Sequence, residues 1–282
     1  MKQKLITTIF LLTGYCLTAY SQVGITPRLL ELDNTQVNKS QAFRLYNFSE
    51  KDVQVQVEIN NWTMTDDNQI QLIPSETHSL DQWTIVNPLI FTVKAESSQT
   101  IRLAFRPPLD IQAGEYKTML YFNQILIDDA PQSKQLRSRF RIGAAVYLQI
   151  GDQQIAAKAL SASVDQNKQL HVTVNNTGNT HARFNGDWYI WTIDPTPHIQ
   201  KLTAWRKEPN KTRVDIPGLI ASDILPNTPI LAGHQRNIKI DSKDFDFKSG
   251  QALQLLLLGQ LGKQDISQVL AIEDKSTPQH DR

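Results

Sequence analysis

Six histidines, His78, His171, His181, His198, His234 and His280, are the first candidates for chemistry. A metal centre needs ligands at short, fixed intervals, and no two of these histidines stand at such spacing or beside a carboxylate motif. Each therefore reads as a surface or turn histidine, His181 in a turn and His171 within a strand. The adjacent acids Asp66-Asp67 and Asp128-Asp129 sit in turn or loop contexts, not as the spaced pair of a glycosidase. No serine occupies a nucleophile elbow, and the glycines occur singly, without a phosphate-cradling loop. Asn47-Phe48-Ser49, Asn61-Trp62-Thr63, Asn175-Asn176-Thr177 and Asn210-Lys211-Thr212 match the glycosylation sequon, a pattern frequent by chance. The reading is of a binding protein, not an enzyme, with no metal and no cofactor.

One stretch has a pattern suited to binding. Phe140, Ile142, Ala144, Val146 and Leu148 fall on every second position, and Leu136 extends the row across Ser138. The other register carries Arg137, Arg139 and Arg141, then Ala145 and Tyr147. A strand of this length is either a core strand or one whose first half, Leu136 to Ala144, is laid into a partner. Val146 to Ile150 reads as plain core.

The elements that would position such a strand are themselves strands. Val53, Val55, Val57 and Ile59 alternate with Gln54, Gln56, Glu58 and Asn60, and Ile101, Leu103 and Phe105 alternate with Arg102, Ala104 and Arg106. Period-two alternation marks a strand with one buried face. Phe43 to Leu45, Met119 to Phe122, Leu170 to Val174 and Trp188 to Ile193 read the same way, rich in the β-branched and aromatic residues that pleated surfaces favour. Turn signals divide them at Asp66-Asp67-Asn68, Pro107-Pro108, Ala113-Gly114 and Asn176 to Asn179. No stretch shows helical periodicity. The pattern predicts an all-β protein of antiparallel sandwiches, and 282 residues suit two such domains, each able to bury a core.

The boundary is expected at Gly151-Asp152, giving domains 22–151 and 152–273 and a frayed tail over 274–282. Residues 1–21 read as a secretory leader. Lys2 and Lys4 precede an apolar run from Ile6 to Leu12 that is too short to span a bilayer, and Ala19-Tyr20-Ser21 places small residues where signal peptidase cuts. Cleavage after Ser21 leaves Gln22 as the first residue and removes Cys16, the only cysteine. The bulky Tyr15 before it argues against lipid attachment. A formal net charge of +1, with acids and bases interspersed, gives no case for nucleic acid or for membrane insertion.

Four stretches together resemble the periplasmic chaperones of chaperone–usher pilus assembly. They are Ile25-Thr26-Pro27-Arg28-Leu29-Leu30-Glu31-Leu32, Ser98 to Leu103, Gly114 to Asn123, and Leu170 to Arg183, and the likeness runs over most of residues 23–272. The resemblance implies two immunoglobulin-like β-sandwich domains at an angle, with a cleft between them. It also implies a function. The donor strand Leu136, Ser138, Phe140, Ile142 and Ala144 completes the fold of a pilin or fimbrial subunit, which passes to an outer-membrane usher from the periplasm. A strand of that kind also admits a self-capping homodimer. Arg28 takes the place of the family's first-strand arginine, which holds the subunit's terminal carboxylate. Where the family pairs it with a lysine this chain has Tyr147, so help for Arg28 is expected from Arg139, Arg141 or Tyr147. The family's acid ahead of the Leu-Tyr-Phe-Asn stretch is Lys117 here, with Glu115 two residues earlier. The competing reading is a secreted two-domain β-sandwich adhesion or ligand-binding protein.

Overall fold

The computed structural model describes residues 22–125, 139–167, 169–192, 199–200, 202–204, 218–240, 252–262 and 264–275. The leader, and Leu136 and Ser138 of the expected donor strand, lie outside them. In chain order the strands are β1 (Val23–Thr26), β2 (Leu29–Leu32), β3 (Gln41–Asn47), β4 (Val53–Asn60), β5 (Trp62–Met64) and β6 (Ile70–Leu72). A single helical turn, α1 (Leu80–Trp83), precedes β7 (Thr84–Asn87), β8 (Ile90–Val93), β9 (Ser97–Phe105), β10 (Gly114–Ile125) and β11 (Arg141–Ile150). The remainder are β12 (Ala157–Val164), β13 (Leu170–Asn176), β14 (Phe184–Trp191), β15 (Leu219–Ile224), β16 (Gln235–Ile240), β17 (Leu253–Leu261) and β18 (Gln264–Asp274).

The first eleven strands make a sandwich of a four-stranded sheet, β1-β3-β9-β7, and a five-stranded sheet, β2-β11-β10-β4-β8, with β5 and β6 as a separate hairpin. The alternation seen in sequence sets the faces. Val53, Val55 and Val57 are buried, and so are Ile101, Leu103 and Phe105, together with Phe43, Leu45, Leu120, Phe122, Ala144, Val146 and Leu148 in one core. Each large side chain fully buried there stabilises the sandwich by roughly 1.5–3 kcal/mol. The chain changes sheets between β1 and β2 at the cis Thr26–Pro27 bond. After that crossing β2 runs parallel to β11, Leu29 opposite Ala145 and Leu32 opposite Leu148.

The later strands form one sheet, β15-β14-β17-β18-β12-β13-β16. Ile238 and Ile240 of β16 share a core with Trp188 and Ile190 of β14, near the other end of that order. The sheet must therefore fold over on itself to enclose them, which makes the second sandwich. Its first and last strands, β12 and β18, are also parallel, Ala162 opposite Ile272.

Asn47, the acceptor position of one sequon, and Asn176, the middle residue of another, prove structural. Asn47 is buried, its Nδ2 donating to the carbonyls of Lys51, Val93 and Lys94. Asn176 is wholly buried, its Nδ2 donating to the carbonyls of Thr180 and Ile230 while Oδ1 accepts from Gly178 N. Each closes the turn at the end of its strand, β3 or β13, where backbone groups without a ladder partner need one.

The sandwiches meet through the β5–β6 hairpin. Asn68 at its tip, with φ 62°, donates through Nδ2 to Asn237 O at 2.9 Å. The buried Arg236 donates to Thr65 O at 2.9 Å, and Lys239 pairs with Asp67 at 2.7 Å. Beneath these contacts Trp62 and Met64 share an apolar cluster with Met119, Tyr147 and Leu231.

Candidate functional site: an open strand edge beside an interdomain cleft

Strand β11 is paired with β10 over its whole length, from Arg141–Asn123 to Ile150–Gly114. On its other side β2 covers Ala145 to Leu148. Among the described residues nothing pairs with that side from Arg141 to Ala144, so its backbone donors and acceptors form an open edge. The strand was expected from Arg137; its ladder begins at Arg141, with Arg139 and Phe140 ahead of it and Phe140 O accepting from Gln124 N. Phe140 and Ile142 are half-buried and pack on the core, whereas Ala144 lies wholly inside it. The inward row thus runs from side chains that water partly reaches to one that it does not.

The outward face carries different chemistry. Glu58, Tyr121 and Gly143 stand in one row across β4, β10 and β11. The Arg141 guanidinium lies 3.8 Å from the Tyr121 ring centroid, with Nη2 3.4 Å from Glu58. Arg139 and Arg141 border a hollow shared with Gln56, Glu58 and Asn123. Arg28 is exposed at the sheet crossing, immediately before the first residue that pairs with β11.

Tyr147 stands apart from this group. It is buried, its neighbour on β2 is Glu31, and its ring meets Trp62 edge-on at 5.9 Å and His181 at 4.2 Å. Burial pushes its hydroxyl pKa well above the usual range, so it serves as a neutral group. Lys117, opposite Tyr147 on β10, is pulled below its ordinary pKa by burial, with Glu115 opposing the shift. Its ammonium stands 5.9 Å from the Trp62 ring. Arg28 and Tyr147 therefore do not form a local pair; Arg28, Arg139 and Arg141 flank the open edge, and Tyr147 belongs to the cleft.

In that cleft sequence reasoning missed the principal contact. His181, read as a turn histidine, places Nδ1 2.5 Å from Glu115 Oε2 and Nε2 3.1 Å from Glu31 Oε1. Glu115 also accepts from His181 N at 3.0 Å and Thr180 Oγ1 at 2.9 Å, so a first-sandwich carboxylate is bound entirely by the second sandwich. Arg183 completes the cluster, Nε 3.4 Å from Glu31 and Nη1 donating to Asn227 O. The signal available was the displaced acid, Glu115, together with the Asn179-Thr180-His181 turn. The two are 66 residues apart and no local pattern links them.

This contact gives a first prediction. Glu115→Gln and His181→Ala should each lower stability, and the double variant should lose less than the sum. The coupling energy should be about 1–3 kcal/mol, since the groups share one buried network. Denaturant unfolding of the four proteins measures it, and strict additivity would show that the contact does not link the sandwiches.

No family model and no curated protein matches the sequence. Solved structures do match the fold. The YadV chaperone aligns over 89% of this chain and 100% of its own, at 13% identity and a TM-score of 0.50. A chaperone–tip adhesin complex of CFA/I fimbriae biogenesis aligns over 89% and 99%, at 15% identity and TM-score 0.49. The CsuC–CsuE chaperone–tip adhesion subunit pre-assembly complex of Acinetobacter baumannii aligns over 90% and 99%, at 12% and 0.47. The architecture is the two-domain β-sandwich of pilus chaperones.

Proposed function

We propose that this chain is a periplasmic chaperone of the chaperone–usher type, a divergent member of that family, and not an enzyme. It is exported by the leader that ends at Ser21 and works as two units, 22–151 and 152–273. It holds a pilus-type subunit until an outer-membrane usher takes it. The observation that carries this reading is the open edge of β11 with Phe140 and Ile142 half-buried behind it. A subunit missing its last strand exposes apolar core and unpaired amides, a template for aggregation. A strand offered from another protein satisfies those amides, and its alternate side chains fill the vacated pockets.

Arg28 remains the proposed carboxylate anchor, now with Arg139 and Arg141 as its neighbours along the open edge. An arginine can grip a carboxylate with two parallel, charge-assisted hydrogen bonds.

The test is co-purification from the exported fraction, with the bound protein identified by mass. A β-rich surface subunit should be recovered with the wild type and much less with Arg28→Ala, whose own unfolding should be unchanged. Recovery of no subunit from cells that assemble the cognate fibre would overturn the chaperone reading. Undiminished recovery with Arg28→Ala would remove only the anchor.

A further inference from the structure

We infer that the segment occupying the open edge of β11 is an acidic strand, apolar on the side facing the sandwich core and carrying Asp or Glu on the side facing outward. This rests on the donor-strand reading and adds the chemistry of the occupant. The register decides which charges the occupant meets. Opposite Arg141 to Ala144, β10 supplies Asn123, Tyr121, Phe122 and Leu120, none of them charged. One strand further, β4 supplies Glu58. At the two ends of the open edge stand Arg139 and Arg28, both exposed. Among the described residues three arginines therefore stand along this edge against a single carboxylate.

Arg141 is also prepared for a ligand. Gly143 stands exposed in mid-strand, and a Cβ there would lie 3.1 Å from Tyr121 Cε1 and 3.4 Å from Met119 Sδ. Without a side chain at 143, the Tyr121 ring lies close to the strand and carries the Arg141 guanidinium over its face, 3.8 Å from the centroid. A stacked guanidinium has already lost much of its rotamer freedom, so less is lost when it binds. Glu58 meets one corner at 3.4 Å, and 51% of the Arg141 side chain is exposed, which leaves donors for a second carboxylate. A strand added at this edge alternates its side chains. Those on one face pass beside Phe140 and Ile142, and those on the other beside Gly143 and Arg141. A basic residue there would be repelled, and an apolar one would desolvate the guanidinium without a partner.

The test uses the full mature chain and two synthetic nonapeptides with the same β-branched apolar residues at odd positions and either Glu or Lys at even ones. Binding is followed by fluorescence anisotropy at low salt. The Glu peptide should bind at least about fivefold more tightly, with the ratio shrinking as salt is raised. Arg141→Glu should reverse the preference. Arg141→Ser, which alters no ladder contact, should shrink it by more than half, and serves if the charge reversal fails to fold. Equal affinity for the two peptides, or a preference unchanged in the Arg141 variants, overturns the acidic-strand inference while leaving strand addition standing. Binding of neither peptide overturns both.

Discussion

Ile142→Asp should abolish subunit capture, lowering recovery by about a hundredfold or more. Ile142 lies opposite the wholly buried Phe122 and packs on the first core, yet it remains half-exposed on the open part of β11. In the proposed complex it enters an apolar pocket. An aspartate there would be a charge without a partner, which costs several kcal/mol, and each 1.4 kcal/mol is tenfold in affinity. Phe140→Asp should act in the same sense. The free variants should still fold, because these side chains are partly hydrated already. Ala144 makes a poor donor by comparison, since it is sealed in the protein's own core. Arg139→Ser, on the outward register, is the control and should change recovery by less than about fivefold, the scale of an exposed charge pair. Wild-type recovery with Ile142→Asp would show that the inward face is not the donor face, and loss only with Arg139→Ser would reverse the register.

Gly186→Ala should strongly destabilise the second sandwich. Gly186 and Gly259 stand directly opposite one another in the β14–β17 ladder. A Cβ on Gly186 would fall 2.3 Å from Leu258 O and 2.7 Å from Gly259 Cα, and one on Gly259 would fall 2.4 Å from Asn185 O. These are backbone atoms, so no side chain can swing aside. Two strands at the centre of a packed core would have to part, with a loss of about 3 kcal/mol. The melting temperature of this half should then fall by roughly 10 °C. A fall of less than about 2 °C would mean that the strands relax at no cost, and that the glycine pair is not required by packing.

How much of this could be read beforehand differs by the range of each contact. The faces of β4 and β9 were legible because Val53 to Ile59 and Ile101 to Phe105 each carry their own alternation. The row Phe140, Ile142, Ala144 was legible for the same reason. Its division into half-buried and buried positions was not, because that depends on where β2 stops pairing. Asn47 and Asn176 carried a visible pattern, but its meaning as a buried turn-closing amide needs carbonyls up to 54 residues away. Glu115 with His181, and Thr65 with Arg236 across 171 residues, had no local signature at all. Gly186 and Gly259 looked like scattered single glycines, and only the ladder brings them face to face.

The parallel pairs β2–β11 and β12–β18 bear on the order of events in synthesis. In each half an early strand, β2 or β12, is held by the last one, Leu29 by Ala145 and Ala162 by Ile272. Such contacts have the greatest chain separation the half allows, and closing so long a loop is what slows β-rich folding. Neither half can seal while its last strand is still on the ribosome. A chain made from its N-terminus thus stays open until Ala145 has emerged, and the strand that completes the first sandwich is also the one that carries the open edge. Closure of the first sandwich and the appearance of its open edge are timed by the same ten residues of β11.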